Sequence, residues 1–502
     1  MAFKTVVLYL PEFYFFTCIM ILLYYGSFFF SESYNFYRDS RIVLMFSLST
    51  VSNLFYMIIS SPFNHIFNLL FLFKLDYVIL IELLFLFILF FILILSYKYN
   101  KYLNISFFEF SIFLLIGTLS LWLLLLSNNI MLFYLILELQ GITFYVLTSL
   151  RKKSKYSIES GLKYFILGSF SSIIILFGIT LFYGFTGVLY FSDFNILINH
   201  IFLIRDLNFI FILFLSVFFI LVGLLFKLYC APLHYWVPDI YQGAPTSTVF
   251  FFALLPPIVL LTMLIQLYVF YLLDFLFITK TFFFFGSLFS MVLGSLGGLV
   301  QRKLKKLLAF SSVLIIGNIF MLLTTINLSS IISLYFFFII YLLNSLGFIS
   351  IIINLSIIKN NFKQSFIENI SFFSGLANTN KVIGFFLTVI LFSFAGIPPS
   401  AGFLSKLFMY ADLLSSFDFF LLIISISTSV VSVFYYIRLL KIVYYDKNDN
   451  FKLSILSSIE YSSCFSIFIF VFLNFFFFIN PYLILNTITI SILDNSLNTI
   501  LL

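Results

Sequence analysis

Apolar residues fill this chain in long blocks, and polar residues gather between them. Fourteen blocks are centred near residues 18, 51, 86, 117, 139, 172, 220, 256, 291, 317, 343, 396, 428 and 471. A helix of about 20 residues crosses a hydrocarbon layer of roughly 30 Å. The alternation of apolar and polar positions that marks a membrane barrel is absent from the sequence. The first block, Val6–Phe30, is too long for a signal sequence core and has no small-residue cleavage site, so it reads as a retained helix. The pattern predicts an all-α polytopic membrane protein with about 14 transmembrane helices.

Charge in the connecting segments tests that count. Arg38 and Arg41 follow block one, Lys98 and Lys101 block three, and Arg151, Lys152, Lys153 and Lys155 block five. Arg302, Lys303, Lys305 and Lys306 follow block nine, Lys359, Lys363 and Lys381 block eleven, and Arg438, Lys441, Lys447 and Lys452 block thirteen. Even-numbered connections hold scattered cations such as Lys74, Arg205 and Lys280. The bias puts odd-numbered connections on the matrix or cytoplasmic side and both termini on the other.

Two blocks are interrupted. Phe226–Pro245, FKLYCAPLHYWVPDIYQGAP, combines Lys227, His234, Asp239 and Gln242 with Pro232 and Pro238. Each proline removes a backbone donor and is expected to break the helical ladder here. The second interruption is Ile397-Pro398-Pro399, with Lys406 just beyond it. Broken helices survive in a bilayer where protein or a wet cavity surrounds them. An ionisable group at that depth marks a candidate functional site. Corresponding broken segments in two halves of a chain point to inverted repeats around a site near the membrane midplane.

Glu138 lies well inside the block Ile130–Leu150. A carboxylate there costs roughly 2.5–3.5 kcal/mol unless it finds a partner. It reads either as a buried group, protonated or structurally paired, or as a charge that answers a lysine. At about 7 Å and an effective dielectric near 20, a Glu138–Lys227 pair is worth on the order of 2 kcal/mol. Moving one charge through 100 mV involves a similar roughly 2.3 kcal/mol. Such a pair can be made and broken by an ordinary driving force. Lys163 follows Glu159 by four residues, the order of a surface helix pair; reaching inward towards Glu138 is the alternative. His234 reads as a structural donor or as a proton relay. His65 and His200 read as loop or interface residues, and Trp122 and Trp236 as interfacial or packing aromatics.

Composition narrows the class further. The mean hydropathy of +1.19 and the 9% of charged residues exclude a soluble globular domain. The formal charge of +7 lies in the connecting segments, so it signals membrane orientation and no nucleic-acid partner. Cys18, Cys230 and Cys464 are far apart and show no metal or haem spacing. No phosphate loop or dinucleotide fingerprint occurs, so the chain is expected to bind no cofactor or metal directly. The 78 Phe read as lipid-facing bulk, and with the 31 Tyr they suggest an AT-rich organelle genome.

These residues resemble the antiporter-like subunits of respiratory complex I. LILELQGITFYVL and SIESGLKYFILGSFSSIIILFGITLFYGFTG are similar to the family's fifth and sixth helices. FKLYCAPLHYWVPDIYQGAPT and FSFAGIPPSAGFLSKLF resemble its broken seventh and twelfth helices. GSLGGLVQRKLKKLLAFSS and SVFYYIRLLKIVYY add the ninth-to-tenth turn and the end of the thirteenth. The likeness covers roughly Phe107–Tyr445.

The resemblance implies 14 helices with two inverted five-helix repeats and two broken helices. It implies N-terminal helices over 1–105, a proton-translocation core over 106–445, and a C-terminal helix and tail over 446–502. It implies a hetero-oligomer in the mitochondrial inner membrane, with both termini on the intermembrane-space side. NAD, FMN, iron–sulfur clusters and ubiquinone then belong to partner subunits. Glu138, Lys227 and Lys406 resemble the family's proton-translocating residues, with Lys163 and His234 as further candidates. Two positions depart from the family. Pro257 stands where a central lysine is usual, and Ile315 where a histidine is usual. A subunit of a multi-subunit cation/proton antiporter, or a structural complex I subunit without a working channel, are the alternatives.

Overall fold

Polar side chains at the ends of the apolar blocks set the helix boundaries. Asn129 Oδ1 accepts the amides of Met131 and Leu132 and opens a helix at Ile130. Ser154 Oγ accepts the Ser157 amide at 3.3 Å and opens the next at Lys155. That helix stops at Gly187, whose φ of 71° is the left-handed conformation a helix C-terminus favours.

A computed structural model describes residues 10–29, 36–60, 76–103, 105–194, 207–267, 275–325, 327–359, 363–366, 369–446 and 461–490. In chain order the helices are α1 (Leu10–Phe29), α2 (Phe36–Ser60), α3 (Asp76–Tyr102), α4 (Phe107–Leu126), α5 (Ile130–Ser149), α6 (Lys155–Thr186) and α7 (Leu207–Lys227). Then follow α8 (Trp236–Gly243), α9 (Thr246–Ile265), α10 (Leu276–Val300), α11 (Leu304–Thr325) and α12 (Leu328–Asn354). The chain continues with α13 (Lys381–Ala395), α14 (Ala401–Ser415), α15 (Phe419–Tyr444) and α16 (Tyr461–Ile479). A last helix, α17 (Tyr482–Ile490), is bent 81° from α16. Between α12 and α13, β1 (Ser356–Lys359) and β2 (Lys363–Phe366) form an antiparallel hairpin with Ser356 opposite Phe366.

Among the described residues, 11 helices are long and apolar enough to cross a membrane, or up to 12 if the bent pair is one span. Pro11–Gly26 and Lys381–Ala395 are apolar but shorter. Three of the expected fourteen fall outside these eleven: the first block yields the shorter Pro11–Gly26, the block around residue 396 is cut into α13 and α14 by Gly396 and the two prolines after it, and the last is the bent pair.

The chain divides into two compact units. One holds 1–228, 243–279 and 494–502; the other holds 229–242 and 280–493. In the first unit α9 is buried along its whole length. In the second, α12 is buried from Ser333 to Asn354 and α11 nearly throughout. These buried helices carry serine and threonine, and most of the hydroxyls donate to a carbonyl of the preceding turn, as Ser350 does to Gly347 at 2.7 Å; Ser247 of α9 instead donates to Asn100 Oδ1 at 2.8 Å.

Glycines let α6 and α7 approach closely. A Cβ on Gly178 of α6 would stand 2.8 Å from the Ser216 carbonyl oxygen of α7, and one on Gly223 of α7 would stand 3.1 Å from the Ser171 carbonyl oxygen of α6. In the second unit Gly294 of α10 and Gly317 of α11 meet each other's helix in the same reciprocal way. Close backbone approach through small residues is the packing mode open to helices in lipid, where apolar contact alone gives little preference for protein over lipid tails.

Two expectations need correction. Pro238 does not break a helix: it is the third residue of α8, in a first turn where a missing amide is harmless. The break lies before it, over residues 228–235, where Tyr229 has a φ of 48°. The phenylalanines are not simply lipid-facing, since Phe85, Phe110, Phe133, Phe144, Phe182 and Phe250 are fully buried. Trp122 takes the packing role of the two expected for it: it is buried, and its Nε1 donates to Glu82 Oε1 at 2.8 Å. Lys74, Arg205, Lys447, Lys452, His65 and His200 lie outside the described residues.

The glycine contacts generate a prediction. Gly178→Leu and Gly223→Leu each force α6 and α7 apart, and overpacking of this kind costs about 1–3 kcal/mol. Both should lower the melting temperature of the detergent-solubilised protein; an unchanged melting curve contradicts the packing.

Candidate functional site

The first unit brings Glu138 and Lys227 together. Glu138 occupies the ninth position of α5, and Lys227 is the last residue of α7. Lys227 Nζ donates to the carbonyl of Leu137, the residue before Glu138, at 3.4 Å. That is a long, weak bond by ordinary geometry. The two side chains form no direct salt bridge. Glu138 Oε1 is buried without a hydrogen-bond partner. Lys163, on α6, pairs with Glu159 at 2.8 Å, with both side chains about half exposed. This is the surface helix pair of the spacing argument.

The second unit contains the segment around His234. The histidine is 3% exposed, and its Nδ1 is buried without a partner. Its ring lies 4.6 Å from that of Tyr235. Asp239 on α8 meets Lys306 of α11 at 3.4 Å, which ties this short segment to the start of a buried helix.

Lys406 is held by backbone. Helix α13 ends at Ala395, and Gly396 adopts a φ of 79°. The amides of Gly396 and Ile397 both return to Phe392 O, at 2.9 and 3.0 Å. The next carbonyls, of Phe394 and Ala395, accept from Lys406 Nζ at 3.2 and 2.8 Å. The ammonium therefore sits on the negative end of a helix dipole. Gly396 permits this twice over. Its conformation disfavours a side chain, and a Cβ would stand 2.7 Å from Lys406 Cδ.

Beside Lys406 lies a cavity of about 30 Å³. Asn318 and Ile315 of α11, Asn344 of α12, Ser393 of α13 and Tyr436 of α15 contribute to its wall. Tyr436 stacks on Phe394 with ring centres 5.5 Å apart. Ile315 thus lines the same space as the lysine. Sequence reasoning did not pick out Asn318, Asn344 or Tyr436. Their only signal was a polar side chain inside an apolar block. Glu82 was missed in the same way; the lone carboxylate of its block was visible in the sequence, but its indole partner was not.

Comparison with known proteins places this geometry. The family described as NADH:quinone oxidoreductase/Mrp antiporter, TM, matches residues 127–432. The chain is 33% identical over 445 residues to NADH-ubiquinone oxidoreductase chain 2 of Marchantia polymorpha, covering 87% of this chain and 88% of the relative. It is 36% identical over 308 residues to NADH-quinone oxidoreductase subunit N of Wolbachia sp. subsp. Brugia malayi, covering 61% of this chain and 63% of that one. The fold matches a chain of respiratory complex I from Thermus thermophilus with bound aureothin, at a TM-score of 0.76 and 22% identity over 95% of this chain and 99% of that chain. It also matches a chain of the Mrp complex from Dietzia sp. DQ12-45-1b, at a TM-score of 0.77 and 14% identity over 98% of this chain and 97% of that one. The family match spans more than half of the sequence and contains Glu138, Lys227, His234 and Lys406, so the chain belongs to the NADH:quinone oxidoreductase/Mrp antiporter transmembrane family.

Proposed function

We propose that this chain is a membrane-arm subunit of respiratory complex I, and that it couples NADH-to-quinone electron transfer in partner subunits to proton translocation. The observation that carries the reading is Lys406 seated on the C-terminal carbonyls of a broken helix, beside a cavity into which several polar side chains reach. Family membership supplies the context. NAD, FMN, iron–sulfur clusters and ubiquinone belong to the partners. The setting is the mitochondrial inner membrane, with both termini on the intermembrane-space side. The broken α13–α14 segment and the short α1 complete fourteen crossings, arranged as two inverted five-helix repeats within a core over 106–445.

In this reading Glu138, Lys227 and Lys406 carry the charge changes. Lys227 is tethered weakly to the carbonyl of Leu137, so it can move towards Glu138 or away from it. Protonation of Glu138 removes the attraction and releases the lysine; loss of that proton draws it back. At Lys406 the carbonyls of Phe394 and Ala395 hold the ammonium form more strongly than the neutral amine. Proton loss there loosens the grip of α13 on α14, and proton return restores it. Lys163 and His234 are auxiliary: the first biases the charge on the α6 surface, and the second offers an unpartnered ring nitrogen in the break.

The antiporter alternative is less well supported. The sequence relatives compared above are oxidoreductase subunits, whereas the Mrp likeness at 14% identity concerns the fold alone. The structural-spacer alternative rests on Pro257 and Ile315, and the pumping assay decides it.

Two outcomes are expected. Lys406→Ala and Glu138→Gln should each depress proton pumping in the assembled complex, read as the proton-to-electron ratio in sealed vesicles; full pumping in both variants contradicts the reading. Purification in mild detergent should yield this chain together with flavin and iron–sulfur proteins. Isolation with cation/proton antiporter subunits instead would favour the alternative.

A further inference from the structure

The turn of α13 that seats Lys406 is held from beyond the matched family region. The final carbonyls of α13 are all occupied: Phe392 O and Ser393 O accept turn amides, and Phe394 O and Ala395 O accept Lys406. Ser393 stands in that turn and lines the Lys406 cavity. It is fixed from two sides. A Cβ on Gly402 of α14 would collide with the Ser393 carbonyl, so α14 sits directly on this backbone. On the other side, Ser393 Oγ donates to Asn474 Oδ1 of α16 at 3.0 Å, between residues that are 2% and 0% exposed.

The bond to Asn474 departs from the local habit. A helical serine or threonine readily donates back to a carbonyl three or four residues earlier, and Thr388 of α13 does so to Phe385 at 2.6 Å. Ser393 turns its hydroxyl out of its own helix instead. Asn474 is oriented to receive it: its Nδ2 donates to Phe470 O of α16 at 3.0 Å, which fixes the carboxamide with its oxygen towards α13. A polar side chain inside an apolar helix is costly, and hydrogen bonds between such side chains join helices in lipid. Packing supports the same join one turn away. A Cβ on Gly347 of α12 would stand 2.8 Å from Ile390 Cδ1 of α13 and 3.4 Å from Phe470 Cβ of α16. Helix α16 spans Tyr461–Ile479, whereas the family match ends at residue 432.

We propose that Asn474 is a positioning residue for Lys406, acting through Ser393, and that α16 is therefore part of the proton-translocating site. The inference rests on the reading above, in which Lys406 carries a charge change. While the lysine is charged, it satisfies Phe394 O and Ala395 O itself. When it releases its proton, those carbonyls lose their ammonium partner, and an untethered helix end is free to swing them towards other donors. The Ser393–Asn474 bond keeps the turn in place through both states. Dipoles already aimed at a charge need no rearrangement when it returns. Asn474 itself exchanges no proton.

Two measurements test this. A density map of the assembled complex should place Ser393 Oγ within hydrogen-bond distance of the Asn474 carboxamide. A map that parts the two overturns the inference, whatever the variants do. The proton-to-electron ratio in sealed vesicles, read on complexes that still reduce quinone with NADH, supplies the functional test. Ser393→Ala and Asn474→Leu should each lose at least half of the pumping that Lys406→Ala loses. The double variant should lose no more than the worse single one. Ser393→Thr keeps the hydroxyl and should recover most of the loss. A packing role predicts the opposite order, because alanine removes one atom from a buried site and threonine adds a methyl group. Full pumping in Ser393→Ala with a defect in Ser393→Thr therefore overturns the inference. Full pumping in Ser393→Ala and Asn474→Leu alongside a defect in Lys406→Ala also overturns it and leaves the proposed function standing. Full pumping in all three overturns both.

Discussion

An ammonium group closing the open end of a broken helix is the interaction on which the second unit depends. The last carbonyls of any helix lack intrahelical partners. In hydrocarbon no bulk water replaces them, and each unsatisfied group costs several kcal/mol. An isolated lysine at that depth is also costly. At the end of α13 these two liabilities meet, and each satisfies the other: Lys406 donates to Phe394 and Ala395, where the helix dipole is negative. Gly396 makes the geometry accessible by turning the chain left-handed and leaving room for the lysine stem. The arrangement therefore keeps a charge in the membrane without clamping it to a carboxylate.

The first unit uses a looser version of the same device. Lys227 ends α7 and reaches a carbonyl on α5 next to Glu138, without closing an ion pair. A tight buried salt bridge would be difficult to open, because parting two desolvated charges leaves both uncompensated. A lysine on a long bond to a neutral carbonyl stays within reach of the glutamate and remains free to shift. The coupling available, on the order of 2 kcal/mol, is comparable to the roughly 2.3 kcal/mol of moving a charge through 100 mV.

Much of this was legible in the sequence, and the exceptions have physical causes. Long apolar blocks can be read as membrane helices because backbone hydrogen bonding leaves few other solutions in lipid. Paired prolines near Lys406 marked a real break, because neither can donate to a helical ladder. Pro238 misled because the same residue is harmless in a first turn, and position within a helix depends on where the helix starts. The phenylalanines misled because hydrophobicity does not distinguish a lipid-facing side chain from one packed against protein, and Phe85 and Phe250 are buried. Asn318 and Asn344 were invisible for a third reason. Each is one polar residue in an apolar helix, and only the packing of α11 and α12 turns them towards the same cavity. The Glu82–Trp122 bond joins residues 40 positions apart, a pairing no local pattern encodes.

The central claim is that ionisable groups held inside the membrane sense one another's charge, and Glu138 with Lys227 is the simplest place to ask. The most direct measurement is a double-mutant cycle on proton pumping with Glu138→Gln, Lys227→Met and both together in the assembled complex. The account predicts strong non-additivity, with the double variant no worse than the more impaired single one. Losses that add independently would contradict it.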